Sequence, residues 1–170
     1  MSDQAARPIF LVGFMGAGKT TVGKALAPRL NYDFIDLDDL IEERMGMSVQ
    51  AIFARLGESE FRRAESAVLE NCRDMTRTVV ALGGGAYVAE ANRDLLREMV
   101  TTIWLDCPLE VCLSRLGAYP SMPVLGKEPE MRALLDRRRA AYVLADHIVE
   151  VGTATPEEVV SEIVKLLRRQ

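Results

Sequence analysis

The residues best suited to chemistry stand near the N-terminus. Gly13-Phe14-Met15-Gly16-Ala17-Gly18-Lys19-Thr20 matches G-x-x-x-x-G-K-[ST] at every fixed position. Glycines remove the Cβ atoms that keep consecutive N–H groups from turning into one concavity. A helix starting directly after the loop adds unpaired donors and partial positive charge, so the stretch is shaped to hold phosphate oxygens. Lys19 supplies a point charge for β- and γ-phosphates, and the Thr20 hydroxyl is a Mg²⁺ ligand. Gly16, Ala17, Gly18, Lys19, Thr20 and Thr21 are therefore the candidate nucleotide-binding residues. The bland alternative is a glycine-rich turn with a stray lysine. The flanks argue against it: the apolar Ile9-Phe10-Leu11-Val12 precedes the loop, and residues 21–30 read as a helix.

Three further groups carry chemistry. Asp36 and Asp38 end a short alternating segment, residues 32–37, that reads as a strand. Two carboxylates at that spacing beside a phosphate loop fit Mg²⁺ chemistry, although either can equally cap a helix. Gly83-Gly84-Gly85 follows the buried-type strand over residues 78–82 and permits close backbone approach to a ligand. Arginines are the third group. Arg62 and Arg63, with Glu65, lie off the apolar stripe of a helix over residues 58–74 formed by Phe61, Ala64, Val68, Leu69 and Cys72. That placement reads most simply as a solvated charged face. Arg137, Arg138 and Arg139 sit in a long helix over residues 128–145.

The remaining elements must position these groups. Asn31 closes the first helix by taking φ > 0, with Pro28 in its last turn marking an earlier possible end. Residues 40–45 form a helix closed by Gly46, and Ser48 caps a helix over residues 49–56 ended by Gly57. Residues 88–99 read as a helix and 101–105 as a strand. Asp106 caps a helix that has Pro108 in its first turn and runs to Arg115. Residues 117–127 have glycines and prolines but no period, and their length implies a mobile lid. A strand over residues 147–151, begun by His147 as a structural residue, precedes a capping box at Thr155-Pro156-Glu157-Glu158 and a C-terminal helix to Leu167. Five strands alternating with helices imply a parallel sheet with helices on both faces, whose ligands collect at the C-terminal strand ends. The phosphate loop, Asp36, Asp38, the glycine triplet and the lid all fall on that edge.

Composition sets bounds. The chain of 170 residues reads as one domain, and 49% hydrophobic with 27% charged residues is an ordinary globular balance. A net charge of −4, with no basic run longer than the triple arginine, argues against nucleic acid. Residues 1–7 lack the apolar core of a signal peptide, and no stretch reaches membrane-spanning length. Cys72, Cys107 and Cys112 are odd in number and form no C-x-x-C, so they read as reduced, buried thiols of a cytoplasmic protein. No apolar helix face is left over, so a monomer is expected.

These residues together resemble the shikimate kinases, small P-loop enzymes with a nucleoside-monophosphate-kinase-like fold, over residues 9–167. The loop from Gly13, continued by Thr20-Thr21-Val22-Gly23, is similar to theirs, as is the F-x-D-x-D element Phe34-Ile35-Asp36-Leu37-Asp38. Ile52-Phe53-Ala54 through Gly57-Glu58, then Phe61-Arg62-Arg63-Ala64-Glu65, resembles the helix that holds the acceptor. Gly83-Gly84-Gly85 resembles the family's triplet, and Arg138, four residues before Tyr142, its second carboxylate-binding arginine. Arg137 and Arg139 remain one register step away. The resemblance implies a three-layer α/β/α P-loop kinase fold with a five-stranded parallel sheet, a lid at 117–127 and acceptor-binding helices within 38–74. It implies ATP-dependent phosphorylation of the 3-hydroxyl of shikimate, giving shikimate 3-phosphate for aromatic amino acid biosynthesis. Lys19 and Asp38 would be catalytic, and Thr20 with a water held by Asp36 would position Mg²⁺. Asp38, Arg62, Gly84 and Arg138 would bind the acceptor, and Arg115 and Pro156 would frame the adenine.

One segment departs from the family. Its lid carries an arginine in a pattern like R-P-L-L, whereas this chain has Met122-Pro123-Val124-Leu125. Methionine neither donates a hydrogen bond nor neutralises phosphate charge. Either another cation replaces it, with Lys127 and Arg132 nearest in the chain, or turnover is slow, or the acceptor differs. The competing expectations are a related kinase acting on another hydroxylated carboxylate or a sugar, and a nucleotide-binding module without transfer.

Overall fold

A computed structural model describes residues 6–117 and 128–169. The lid segment, including Met122 and Lys127, therefore lies outside the described residues, apart from Gly117. The strands are β1 (Ile9–Val12), β2 (Asp33–Asp36), β3 (Thr78–Ala81), β4 (Thr101–Asp106) and β5 (His147–Glu150). They form one parallel sheet in the order β2-β3-β1-β4-β5. The helices are α1 (Lys19–Leu30), α2 (Leu37–Met45), α3 (Val49–Leu56), α4 (Glu58–Arg73), α5 (Glu90–Leu96), α6 (Leu109–Leu116), α7 (Glu128–Tyr142) and α8 (Pro156–Leu167). This is the α/β architecture expected from the alternation of elements.

Crossover handedness explains the layers. The connection from β1 through α1 to β2 runs one way along the sheet, and that from β3 through α5 to β4 runs the other way. Right-handed crossovers therefore place α1 and α5 on opposite faces. α1 packs on α8, while α4 packs on α2, α3 and α5. The neighbouring strands β1 and β3 thus send their following chain to opposite faces, which opens a crevice at their C-terminal ends. Phe10, Leu11, Val12, Val79 and Val80 floor it with a dry core.

Local signals behave as their chemistry dictates. Asn31 takes φ 57°, and the pair Tyr32 N–H to Ala27 O with Asn31 N–H to Pro28 O closes α1 in a Schellman-type end. The helix accommodates Pro28 and does not stop before it. Ser48 caps α3 through the Ala51 N–H, and Thr155 with Glu158 completes a reciprocal capping box on α8.

Two expectations are corrected. Residues 88–99 do not form one helix. A 3-10 turn at Ala86–Val88 is separated from α5 by extended Ala89, and Glu98 leaves the helix with φ 64°. Asn92 Nδ2 donates to Ala86 O at 2.8 Å, and Arg93 Nη1 donates to the carbonyls of Tyr87 and Val88, so side chains satisfy the turn that a helix would have extended. Nor does Asp106 cap α6. It ends β4 and accepts from Arg139 at 3.2 Å, while the Pro108 carbonyl receives the first helical N–H groups. The three cysteines are free and buried, as expected. No helix among the described residues is long and apolar enough to cross a membrane.

Candidate active site

The phosphate loop joins β1 to α1 with Gly13 at φ 154°, Gly16 at 78° and Gly18 at 96°. At Gly16 a side chain is excluded twice, by conformation and by the Cys112 carbonyl, 2.7 Å from where its Cβ would stand. Lys19 Nζ folds back to donate to Gly13 O at 2.8 Å and Phe14 O at 2.9 Å. Burial pushes this lysine down to about 8, partly opposed by Asp38. Thr20 and Thr21 open α1 on its exposed side.

Thr20 Oγ1 donates to Asp36 Oδ2 at 2.7 Å, and Asp36 Oδ1 accepts from the Asp38 N–H at 3.0 Å. Asp36 thus caps α2 and meets the loop threonine at once. A hydroxyl and a carboxylate side by side form a hard oxygen pair that fits Mg²⁺. Among the described residues no group of three or more His, Cys, Asp or Glu stands together as a metal cluster.

Behind the loop lies a cavity of about 220 Å³ lined by Ala17, Gly18, Thr21, Arg115, Ala154 and Pro156, among others. Arg115 Nη1 donates to Gly16 O at 3.2 Å and Ala17 O at 3.1 Å, so its guanidinium forms a wall fixed to the loop. Pro156 starts α8 on the other side.

The glycine triplet is the floor on which the three candidate acceptor-binding side chains converge. None of the three has positive φ; they are needed for space. A Cβ on Gly83 would stand 3.0 Å from Asp38 Oδ1, one on Gly84 2.9 Å from Arg138 Nη1, and one on Gly85 2.5 Å from Arg62 Nη2. The triplet therefore admits side chains of α2, α4 and α7 to one point. Of the three consecutive arginines, Arg138 faces this crevice with its guanidinium 5.7 Å from the Phe14 ring centroid. Arg139 instead reaches Asp106 and covers Trp104, and Arg137 is exposed.

Arg62 donates to Glu65 Oε1 at 2.8 Å and lies 3.4 Å from Glu58. The solvated-face reading holds for exposed Arg63, which pairs with partly exposed Glu60. It fails for Glu65, which is 1% exposed. Arginine three residues before the carboxylate was the available signal, since i,i+3 pairs meet on a helix. Burial first, then Asp36 and Glu65, push Asp38 up to about 6, against the pull of Lys19. Glu65 is also raised by burial, with Arg62 opposing. Tyr142 was read only as a spacing mark. Its hydroxyl donates to Gly84 O, locking the triplet from behind. Arg132 is held by Glu110 at 2.8 Å and Glu128 at 3.2 Å, so the one described candidate for replacing the lid arginine is already paired.

The arrangement therefore unites a phosphate cradle, an oxygen pair for a hard cation, two guanidinium groups and a half-buried carboxylate. The sequence profile of the shikimate kinase family matches residues 15–168. A shikimate kinase of Geobacter sulfurreducens is 45% identical over 165 residues, covering 95% of this chain and 91% of its own. One of Moorella thermoacetica is 41% identical over 162 residues, covering 94% of each. The structure of Acinetobacter baumannii shikimate kinase in complex with shikimate superposes with a TM-score of 0.89 at 34% identity, over 98% of this chain and 95% of that one. With profile, sequence and fold agreeing over nearly the whole length, this chain belongs to the shikimate kinase family.

Proposed function

We propose that the protein transfers the γ-phosphoryl group of ATP to the 3-hydroxyl of shikimate. One observation carries the reading: Asp38, Arg62 and Arg138, from three separate helices, meet on Gly83-Gly84-Gly85 beside the phosphate loop. Two guanidinium forks suit a planar carboxylate, and a carboxylate with a free oxygen suits ring hydroxyls. Arg62 and Arg138 grip the acceptor's carboxylate, with the Gly84 N–H beside them. Asp38 accepts the hydrogen bond of the reacting hydroxyl and takes its proton late, as the new O–P bond forms and the bond to the bridging oxygen of ADP breaks. Lys19 leaves its two carbonyls to neutralise the β- and γ-phosphates. Gly16, Ala17, Gly18 and Thr21 hold the phosphates, and Arg115 and Pro156 enclose the base.

Thr20 and Asp36 would hold Mg²⁺, Asp36 through a water. When bound, the ion screens phosphate charge. The whole chain acts as one kinase domain, with residues 117–127 as its lid, and works as a cytoplasmic monomer. Met122 favours a second reading, in which another hydroxylated carboxylate or a sugar is the acceptor. ADP release measured with shikimate, gluconate and no acceptor separates the two. Stimulation by shikimate alone supports the first reading. Stimulation by gluconate alone overturns it.

A further inference from the structure

We propose that a cavity at the N-terminal ends of the strands, on the sheet edge opposite the phosphate loop, binds a small organic anion. The ligand class is a flat apolar body carrying a carboxylate or phosphate group, held by Arg7, Arg29 and Arg168. The proposal goes beyond the kinase reading and does not depend on which acceptor the kinase site takes.

The cavity has a volume of about 770 Å³, which suits a small molecule and exceeds the 220 Å³ of the cavity beside the phosphate loop. Three separate parts of the chain bring arginines to it. The backbone ahead of β1 is pinned on both sides of Arg7: Ala6 O accepts from the Arg77 N–H at 3.0 Å, and Pro8 O accepts from the Thr101 N–H at 2.9 Å. Arg29 stands in the last turn of α1, and Arg168 caps the end of α8. α1 packs on α8, so the two helix ends reach the same opening. Ile9, Tyr32, Val164 and Leu167 line the cavity between them as an apolar floor. Ile9 and Val164 belong to the buried core, and Tyr32 and Leu167 pack against it half-buried. The Tyr32 N–H donates to Ala27 O at 2.9 Å, which ties this part of the floor to the end of α1. The site is therefore built on fixed backbone.

The charge pattern identifies the ligand class. The chain has a net charge of −4, yet no acidic residue lines this cavity among the described residues. Arg62, Arg63, Arg73, Arg97, Arg132 and Arg139 all pair with carboxylates. Arg7, Arg29 and Arg168 form no such pair among the described residues. Arg138, which the proposed function assigns to the acceptor's carboxylate, is unpaired in the same way. Guanidinium groups left without a carboxylate match the planar or tetrahedral oxygens of a carboxylate or phosphate. Arg29 and Arg168 also suit the negative ends of their helices. Arg7 lies on no helix, so the helix dipole does not account for it. A bare phosphate would leave the floor wet, whereas an apolar body removes that surface from water.

The test is titration of isotope-labelled protein, saturated with Mg²⁺-ADP, with phenyl phosphate, benzoate and inorganic phosphate, read from amide chemical shifts. At least one aryl anion should bind with a Kd of about 1 mM or tighter and shift the amides of Arg7, Thr101 and Leu167. Inorganic phosphate should bind at least about fivefold more weakly, because it lacks the apolar body. Preference for benzoate marks a carboxylate site, and preference for phenyl phosphate a phosphate site. Arg7→Gln and Arg29→Gln should each weaken binding about tenfold, while Arg44→Gln on α2 leaves it unchanged. All three are exposed arginines, so the variants keep the core intact. If Arg29 only supports its helix, Arg29→Gln lowers the melting temperature and leaves anion affinity as it was. That result, or Arg7→Gln binding like the native chain, overturns the proposal. So do native-chain shifts confined to the phosphate loop and the glycine triplet, or no shift with any probe, and neither needs a variant. Inorganic phosphate that binds as tightly as both aryl anions overturns the assigned ligand class.

Discussion

Asp38 Oδ1 and Glu65 Oε2 flank Gly83, and a Cβ there would stand 3.0 Å from the first and 3.5 Å from the second. Both oxygens are buried, and they are the two buried side-chain polar atoms without a hydrogen-bond partner among the described residues. Each such atom costs about 1–3 kcal/mol. In the proposed binding mode a polyhydroxylated acceptor would bring the donors both of them lack, so the site would store part of the free energy that substrate binding releases.

Replacing Asp38 should expose that cost. Its carboxyl titrates near 6 in the folded chain against an ordinary 3.8, so the folded state binds the proton more tightly than the unfolded one. The destabilisation is absent below the ordinary value, grows as pH rises, and is complete above about 6. At about 1.4 kcal/mol per pH unit the ceiling is about 3 kcal/mol. Asp38→Asn should raise the melting temperature of the ligand-free protein at pH 8, do little at pH 4, and cut turnover by at least about a hundredfold. An equal thermal gain at both pH values would contradict this assignment.

Arg62→Ala should raise the shikimate KM at least about tenfold with little change in the ATP KM. It should also lower stability, because Glu65 loses the donor at 2.8 Å while remaining buried. Glu65→Gln keeps the shape but makes the partner neutral, and should raise the shikimate KM by roughly three- to tenfold. Steady-state kinetics with each substrate varied checks both. Parallel loss of ATP affinity would mean that α4 has a scaffolding role only.

Gly85→Ala should fold, since φ −100° and ψ −14° suit alanine. Its new methyl would meet Arg62 Nη2 at 2.5 Å, the mobile end of a long side chain. The guanidinium is pushed aside, so the shikimate KM should rise roughly tenfold while the melting temperature moves by only a few degrees. A variant with normal kinetics would show that Arg62 acts from another position.

Arg115→Ala removes a wall of the 220 Å³ cavity and both donors to the Gly16 and Ala17 carbonyls. The ATP KM should rise roughly tenfold and the shikimate KM should stay within about twofold. Competition with ADP, read by fluorescence or calorimetry, gives the nucleotide affinity directly.

What the sequence revealed was what short stretches decide. The phosphate loop, the Asn31 end of α1 and the Thr155 capping box depend on residues a few positions apart, and each stands as read. The sheet followed from five short apolar or alternating runs separated by helical ones. Glu65 was misplaced because a stripe of apolar positions says nothing of a charged residue buried against another element. Asp106 was misread because a capping residue and a partner for Arg139 look alike until β4 and α7 are brought together. The glycine triplet was legible as close approach, but its neighbours Asp38, Arg62 and Arg138 come from three distant helices. Residues 88–99 have helical spacing, and only the side-chain bonds from Asn92 and Arg93 show why the chain breaks there.

The most direct test of the central claim is ADP release from Mg²⁺-ATP with and without shikimate, with the product followed by phosphorus NMR. The account predicts release that depends on shikimate and a new phosphomonoester signal that grows in step with it, from a chain that has Met122 where the family pattern has arginine. ADP release that shikimate leaves unchanged, with inorganic phosphate as the only new signal, would contradict it.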